Sequence, residues 1–258
     1  MDQGIVAMNL WQFALIYVLL LVVLAVMKKC KINQTKLLVV ASMRMTAQLV
    51  LAGLILTYIF ENPHPLFTVA YILLMTGFAI YLVLQRNPSL NPRFKVIAGA
   101  SLALTGISIV CFFVMVVVGV NLFNPQYTIP ISGMIIGNAM TGVSLGLQTF
   151  YSTIKTQRVQ IETLLNLGAT PKKILTPFVN GALETALLPT LNSMLGMGII
   201  SLPGMMTGQI LSGTMPMTAI LYQIAIIIAI CTVTCLSVFC ALFFGARTLY
   251  NERDQMTV

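Results

Sequence analysis

Two charged side chains, Arg44 and Glu184, lie inside long apolar segments of this sequence. A charged side chain at the centre of a bilayer costs about 2.5–3.5 kcal/mol, so a residue retained there is a candidate for function. At 1.5 Å per helical residue, each lies about 10 Å from the basic end of its segment. Opposite charges at equal depth predict an ion pair between helices that holds or gates one side of a pathway. The alternative is that each side chain extends separately to the membrane interface.

A second group of polar residues lies in the apolar segment around residue 140. Asn138, Thr141, Ser144 and Gln148 follow one another at steps of three and four residues, which places them on one face of a helix. Small residues that let helices approach closely occur in the same segment, at Gly133, Gly137, Gly142 and Gly146. The polar face therefore either lines a path for a solute or forms a tight helix interface. Both interpretations hold together if a path runs along an interface.

Further pathway candidates lie near the end of the next apolar segment. Asn192 follows Pro189, and a proline removes one helical hydrogen bond and bends a helix. Interrupted helices often mark the pathway of a transporter. Met205 and Met206 belong to a methionine-rich connection just beyond. Thioethers favour soft ions such as Cu(I), but methionine is also a flexible apolar filler. We include all three residues in the candidate pathway, and the sequence shows no complete set of metal ligands.

The composition indicates which elements position these side chains. Only 8% of the 258 residues are charged and 58% are hydrophobic, with a mean hydropathy of +0.95. Because a soluble domain carries about 25% charged residues, this chain is predicted to be an integral membrane protein. The net charge of +8 arises from residues in short loops. We interpret it as a signal of membrane topology, and we expect no nucleic-acid partner.

Seven apolar stretches are each long enough to cross about 30 Å of hydrocarbon as a helix. They span about 5–27, 37–60, 66–84, 96–120, 129–154, 178–200 and 217–245. The sequence therefore predicts an all-α, polytopic protein of the cell (inner or plasma) membrane, with residues 1–258 forming a single transmembrane domain. All 14 Lys and Arg residues belong to one side of this arrangement. The positive-inside rule then predicts that the N-terminus is outside and the C-terminus is cytosolic.

The longest polar segment is the predicted cytosolic loop, residues 155–177, between the fifth and sixth spans. Apolar positions from Val159 to Leu167 are typical of a short helix, and Gly168 favours a left-handed helix stop. Thr170 then suits a helix N-cap and Pro171 the first helical position. The loop is predicted to fold as helix, sharp break and second helix. Such a hairpin either docks a cytosolic partner or lies on the lipid headgroups.

Several enzyme classes are excluded by what the sequence lacks. It contains no G-x-x-x-x-G-K-[ST] loop, which in other proteins cradles the phosphates of ATP. Its one histidine, His64, lies in a short loop between two prolines. A histidine-based zinc protease or serine hydrolase within the membrane is thereby excluded. We therefore expect a non-enzymatic chain that binds no cofactor of its own.

Several segments resemble one family of transport proteins. Glu162 together with LGATPKK (Leu167–Lys173) is similar to the coupling-helix region of ABC transporter permeases. The stretches at 129–142, 201–213 and 219–224 resemble the FetB-like ABC transporter permease family, which comprises bacterial iron export permeases related to plant aluminium-tolerance permeases. The resemblance covers about residues 41–251, and its specific motifs lie in the second half.

The resemblance implies a permease subunit, a homodimer in the lipid bilayer, that pairs with a separate ABC ATP-binding subunit. ATP and Mg would bind to that partner, and the transported solute would be a metal ion, iron in this family, moved outward. The residues implied to contact the ATPase, in a coupling helix, are Glu162, Leu167, Gly168, Ala169 and Thr170. The residues alone leave open an ATP-independent channel, a secondary transporter for a small solute, or a seven-span receptor. Deleting residues 168–171 would abolish ATPase coupling only if the chain is the permease subunit of an ABC transporter.

Overall fold

The computed structural model describes residues 9–250 of the chain, and the first four residues of the first predicted span lie outside this part. The described residues fold as an all-α protein, and an isolated β-bridge joins Met197 and Ser201. Its helices are α1 (Leu10–Lys29), α2 (Thr35–Glu61), α3 (Pro65–Arg86), α4 (Pro92–Phe112), α5 (Pro125–Thr156), α6 (Arg158–Asn166), α7 (Pro171–Gly196), α8 (Gly204–Leu211) and α9 (Pro216–Ala246). A π-helical turn, Phe113–Val118, extends α4, and a 3₁₀ turn, Arg247–Leu249, follows α9.

Proline defines the start of most of the long helices. A proline stands in the first turn, where its missing N–H costs nothing, of α3, α4, α5, α7 and α9. Two of these starts are also capped by a side chain. The His64 Nδ1 accepts a hydrogen bond from the Leu66 N–H at 3.2 Å, and the Asn124 Oδ1 accepts one from the Gln126 N–H at 3.2 Å. These local signals place the helix starts within a few residues of the predicted span boundaries.

Six of the seven predicted spans are confirmed as helices long and apolar enough to cross a membrane, within the described residues. They are Trp11–Lys29, Thr35–Glu61, Pro65–Arg86, Pro92–Val118, Pro125–Thr156 and Pro216–Leu249. The predicted span 178–200 corresponds to α7, whose 26 residues begin at Pro171 and end at Gly196. At 1.5 Å per residue α7 is about 39 Å long. Because α7 contains several charged and polar residues, it is not among the six helices that are apolar enough to cross a membrane. Its crossing of the membrane therefore stays a prediction.

Helix α5 is the centre of the bundle and packs against α3, α4, α7 and α9. Its glycines make the close approach possible. A Cβ at Gly146 would lie 2.9 Å from the Val238 Cγ1 on α9 and 3.3 Å from the Ala186 Cβ on α7. A Cβ at Gly133 would lie 3.0 Å from the Met75 Cε on α3. Gly133, Gly142 and Gly146 therefore serve helix packing within one chain, whereas a Cβ at Gly137 would contact nothing within 4 Å.

Helices α4 and α9 pack along their lengths at the other side of α5. The hydroxyls of Thr105 and Ser237 form a hydrogen bond between them. The Phe94 ring is fully buried near the start of α4, and its centroid lies 6.3 Å from that of Phe150 on α5. It also lies directly over Gly245 on α9. The start of α4 and the ends of α5 and α9 therefore meet at one end of the bundle.

Basic residues from the end of α3, the end of α5, the start of α7 and the end of α9 lie at this same end, here called the basic end. Arg86 and Lys155 line one pocket there, and Lys172 and Arg247 line another. At the opposite end, Thr68 on α3 donates a hydrogen bond to the Phe123 carbonyl at 3.2 Å. The predicted separation of basic and non-basic connections is thus a property of the folded chain. The positive-inside rule predicts that the basic end faces the cytosol.

Helices α1 and α2 form a peripheral hairpin. No side chain described in α1 is buried, and Ile59 is the one buried residue of α2. The Tyr17 and Thr46 hydroxyls form a hydrogen bond of 2.5 Å between the two helices. The Arg44 guanidinium carbon, 5.4 Å from the Phe78 ring centroid, contacts α3. Most of the hairpin's apolar surface is therefore available to lipid or to another chain.

Candidate functional site

The polar face predicted on α5 is divided by the fold. Asn138, Thr141 and Gln148 are exposed, whereas Ser144 is buried in the bundle and its hydroxyl has no hydrogen-bond partner among the described residues. The Asn138 Nδ2 donates to the Met134 carbonyl at 2.7 Å, and the Thr141 hydroxyl donates to the Gly137 carbonyl at 3.1 Å. These groups stand on the outer surface of one chain and do not line a channel inside it.

Helix α7 exposes a comparable set of polar side chains. Asn180, Glu184 and Asn192 are exposed, whereas Ala182 and Ala186 on the opposite side of the helix are buried. The chain remains helical through Pro189 as far as Gly196, so the proline does not end the helix. We use the name polar surface for Asn138, Thr141 and Gln148 on α5 with Asn180, Glu184 and Asn192 on α7. The Asn138 and Thr141 donors are satisfied within their own helix, so Glu184 is the charged group of this surface for which burial in hydrocarbon would be costly.

The predicted ion pair between Arg44 and Glu184 is not formed within this chain. Among the described residues, the one ion pair joins Arg158 and Glu162, with 2.8 Å between Nε and Oε1. Arg44 instead lies over the Phe78 ring, where its charge interacts with the aromatic face. Equal depth sets the height of two residues in a membrane but not their lateral position. Arg44 belongs to the peripheral hairpin, whereas Glu184 belongs to α7, which packs on α5 and α9.

The two methionines of the candidate pathway point toward the protein interior. They belong to α8, a short helix in the connection between α7 and α9, and this helix packs on α9. Met206 is buried, and Met205 packs half-buried against the core. Within residues 9–250 no group of three or more His, Cys, Asp or Glu side chains is placed to hold a metal ion. In one chain, these methionines act as apolar packing.

The loop after α5 folds as the sequence predicts, into a helical hairpin. Helix α6 ends at Asn166, Gly168 adopts a φ of +86°, and Thr170 is the N-cap of α7 with φ −70° and ψ 141°. The Ala169 N–H closes the turn by donating to the Leu164 carbonyl at 3.0 Å. We call residues 158–171 the α6–α7 hairpin.

The α6–α7 hairpin packs on the bundle through Ile161, Leu164, Leu165 and Ala169 and exposes an apolar tip. Ile161 is fully buried and fixes α6 to the core, whereas Leu167 is 77% exposed. Glu162 is half-exposed and pairs with Arg158 one turn earlier, which orients it on the outer side of α6. Val159 on α6 is also exposed, at 78%, so the hairpin carries two large exposed apolar side chains at the basic end. The hairpin geometry supports a contact surface for a partner.

Two cavities at the basic end were not predicted from the sequence. A pocket of about 340 Å³ lies between the α3–α4 connection and the end of α5, and Gln148 lines it together with Arg86 and Lys155. A larger groove of about 730 Å³ lies between the start of α7 and the end of α9. The positive charge of these loops was the available signal, but sequence spacing does not show which loops meet.

Comparison with known proteins identifies relatives over almost the whole chain. Residues 10–250 match the family described as "Uncharacterised protein family (UPF0014)". The chain is 32% identical to "Probable iron export permease protein FetB" of Escherichia coli, covering 97% of this chain and 96% of that protein. It is 31% identical to "UPF0014 membrane protein YjkA" of Bacillus subtilis, with 96% and 99% covered. It is 38% identical to "Protein ALUMINUM SENSITIVE 3" of Arabidopsis thaliana, with 83% and 76% covered. No solved structure matches the chain.

Proposed function

The chain belongs to the UPF0014 family of multi-pass membrane proteins, and from this membership we propose that it is the permease subunit of an ABC transporter that exports a metal ion, with iron as the first candidate. ATP and Mg would bind to a separate ATPase subunit. The relative from Escherichia coli is named a probable iron export permease, which supports the direction and the substrate of the proposal. The chain itself contributes the membrane pathway and no catalytic step.

The α6–α7 hairpin is the observation that carries the ATPase part of the proposal. A partner that transmits force needs a contact surface that is exposed to it and rigidly attached to the membrane helices. Leu167 offers an exposed apolar contact, and buried Ile161 connects α6 to the core. Thr170 and Pro171 then lead directly into α7 without a flexible linker. A movement applied at Leu167, Gly168, Ala169 and Thr170 would therefore reach α7 as a shift of a whole helix.

The polar surface supports a pathway between two copies of the chain. Its side chains face outward in one copy, and a second copy facing it would enclose them in a shared polar cleft. Glu184 would then supply one carboxylate from each copy, together with amide oxygens such as that of Asn138. Oxygen ligands of this kind suit hard cations. A homodimer would thus create a binding site that neither copy holds alone.

The test is to purify the chain with its candidate ATPase subunit in lipid and to measure ATP hydrolysis with Fe, Mn, Zn or Cu ions added. We expect one or more of these metals to stimulate hydrolysis, and Glu184→Gln to reduce that stimulation several-fold. Glu61→Gln is the matched control, because Glu61 is an exposed carboxylate at the opposite end. Leu167→Asp should weaken co-purification of the ATPase, whereas Ile32→Asp, in a different loop at the basic end, should not.

Each part of the proposal fails separately. If no ATPase co-purifies and hydrolysis is unaffected by Leu167→Asp, the ABC assignment is wrong and a channel or secondary carrier replaces it. If the complex forms but no transition metal stimulates hydrolysis, the metal substrate is wrong and the permease architecture remains.

A further inference from the structure

The groove between α7 and α9 has a rim and walls of different chemistry. Lys172 on α7 and Arg247 at the end of α9 lie at its basic rim. From Lys172 to Asn180 the groove follows α7 over eight residue steps, about 12 Å along the helix axis, so its inner end reaches one residue of the polar surface. It is therefore an elongated cavity that starts at the basic end and runs toward the centre of the bundle.

The walls of the groove are mostly apolar and aromatic, and Thr176 and Asn180 add two polar groups on the α7 side. Leu175 and Val179 are buried on the α7 side. Phe239 and Phe243 form the α9 side, with ring centroids 5.3 Å apart and ring planes at 16°. Phe239 is 43% exposed, so this wall is not covered by other parts of the described chain. In a membrane protein such a surface faces hydrocarbon.

The rim carries positive charge without an acidic partner. Neither Lys172 nor Arg247 belongs to an ion pair, since the one pair among the described residues is Arg158–Glu162. Arg247 is held in place by Phe243, with 4.8 Å between its guanidinium carbon and the ring centroid. Among residues 9–250, no Asp or Glu lines the groove. The rim is therefore complementary to an anion located at the level of the lipid headgroups.

We infer that this groove binds a single anionic phospholipid, with its phosphate at Lys172 and Arg247 and one acyl chain along Phe239 and Val179. Basic pockets between transmembrane helices recognise anionic lipids in this manner. The groove is continuous with Thr170 and Pro171, so the bound lipid would support the base of the α6–α7 hairpin. The inference requires a membrane-embedded α9 but neither an ATPase nor a metal substrate.

The test uses the full chain in micelles, with bound lipids counted by native mass spectrometry after addition of phosphatidylglycerol or phosphatidylcholine. We expect one phosphatidylglycerol molecule to be retained in preference to phosphatidylcholine. Lys172→Gln with Arg247→Gln should lower the affinity for phosphatidylglycerol roughly 30-fold, about fivefold for each basic residue removed. Thermal unfolding in phosphatidylcholine alone verifies that this double variant is folded.

The matched control is the double variant Lys173→Gln with Arg86→Gln. It removes the same charge from the basic end, but neither residue lines the groove. It should retain phosphatidylglycerol as the unmodified chain does. Equal loss of lipid in both double variants would overturn the inference, since the attraction would then be diffuse. The inference is also overturned if the unmodified chain retains phosphatidylglycerol and phosphatidylcholine equally.

Two further additions separate the lipid from other occupants. Inorganic phosphate at equal concentration should neither displace the lipid nor raise the unfolding temperature, because it lacks the acyl chain that fills the groove. Displacement by phosphate alone would contradict a lipid site. A chain truncated after Tyr250 should retain the lipid unchanged. If retention occurred only after truncation, residues 251–258 would be the natural occupant of the groove and the inference would be wrong.

Discussion

At the scale of single residues, the backbone conformation of Gly168 determines the shape of the α6–α7 hairpin. Its φ of +86° lies in the left-handed region, and open space surrounds the position where a Cβ would stand. A substitution there therefore acts on the backbone alone. An L-residue in this region costs about 1–2 kcal/mol, and asparagine tolerates it better than alanine does.

We predict that Gly168→Ala reduces co-purification of the ATPase partner and that Gly168→Asn retains more of it. Gly53→Ala is the control, because this glycine of α2 also has open space around it and no positive φ. It should leave the complex unchanged. If alanine and asparagine at position 168 have equal effects, the left-handed turn is not what the partner requires.

Gly245 is important for a different reason, which is close packing. A Cβ there would lie 2.5 Å from two carbons of the Phe94 ring. The ring cannot move aside easily, because it is fully buried between Phe150 and Tyr151. We predict that Gly245→Ala lowers the free energy of unfolding by about 1–3 kcal/mol, measured as a lower thermal unfolding temperature in detergent.

The matched substitution is Gly77→Ala in α3, where nothing lies within 4 Å of the new Cβ. It should be neutral or slightly stabilising, since alanine is the better helix former. A loss of stability equal to that of Gly245→Ala would show that helix glycines matter here through some property other than contact with Phe94.

The limits of sequence reasoning are visible in individual side chains. The helical period placed Asn138, Thr141, Ser144 and Gln148 on one face, but only Ser144 is buried. Each three-residue step turns back around the helix by about 60°, so Ser144 lies about 120° from Asn138 and faces a different neighbour. The Arg44–Glu184 pair is not formed within one chain, because depth along a helix carries no information about which helices are neighbours.

At the scale of secondary-structure elements, local signals were sufficient for the α6–α7 hairpin. Gly168, Thr170 and Pro171 act through their own backbone preferences, which depend little on the rest of the fold. Helix α7 was harder to delimit, because its first turn carries Lys172 and Lys173 and hydropathy detects only the apolar part. Helix α8 was not predicted as a helix, since its eight residues lie in a stretch that hydropathy treats as a loop.

If the polar surface is the contact between two copies, residues 138 and 184 should lie close to the same residues of the second copy. In a chain with its five cysteines replaced, Asn138→Cys or Glu184→Cys should form a disulfide between copies under mild oxidation. Both positions are exposed and belong to α5 and α7, the proposed dimer face. Cross-linked dimer is measured on a non-reducing gel after the reaction in membranes.

Leu104→Cys serves as the comparison, because Leu104 is 70% exposed but lies on α4. It should remain monomeric under the same conditions. Cross-linking at position 104 with none at 138 or 184 would move the dimer face to α4 and remove the support for a shared polar cleft.

At the scale of the whole molecule, the positions of Lys and Arg were the most reliable topological information. Counting charges by connection requires no knowledge of packing, and the basic connections of the described chain do meet at one end. The arrangement of helices around α5 could not be obtained this way. It depends on contacts such as Gly146 with Val238, which join residues far apart in the sequence.

The weak attachment of the α1–α2 hairpin affects how the protein responds to membranes of different thickness. Helix α9, with 31 residues, is about 46 Å long, whereas α1, with 20 residues, is about 30 Å long. Helices of unequal length match a given hydrocarbon thickness at unequal tilt angles. Because α1 and α2 contact the bundle at few points, they can change tilt while α3, α4, α5 and α9 keep their packing. The α1–α2 hairpin can therefore adjust to the thickness of the surrounding bilayer without changing the packing of the other helices.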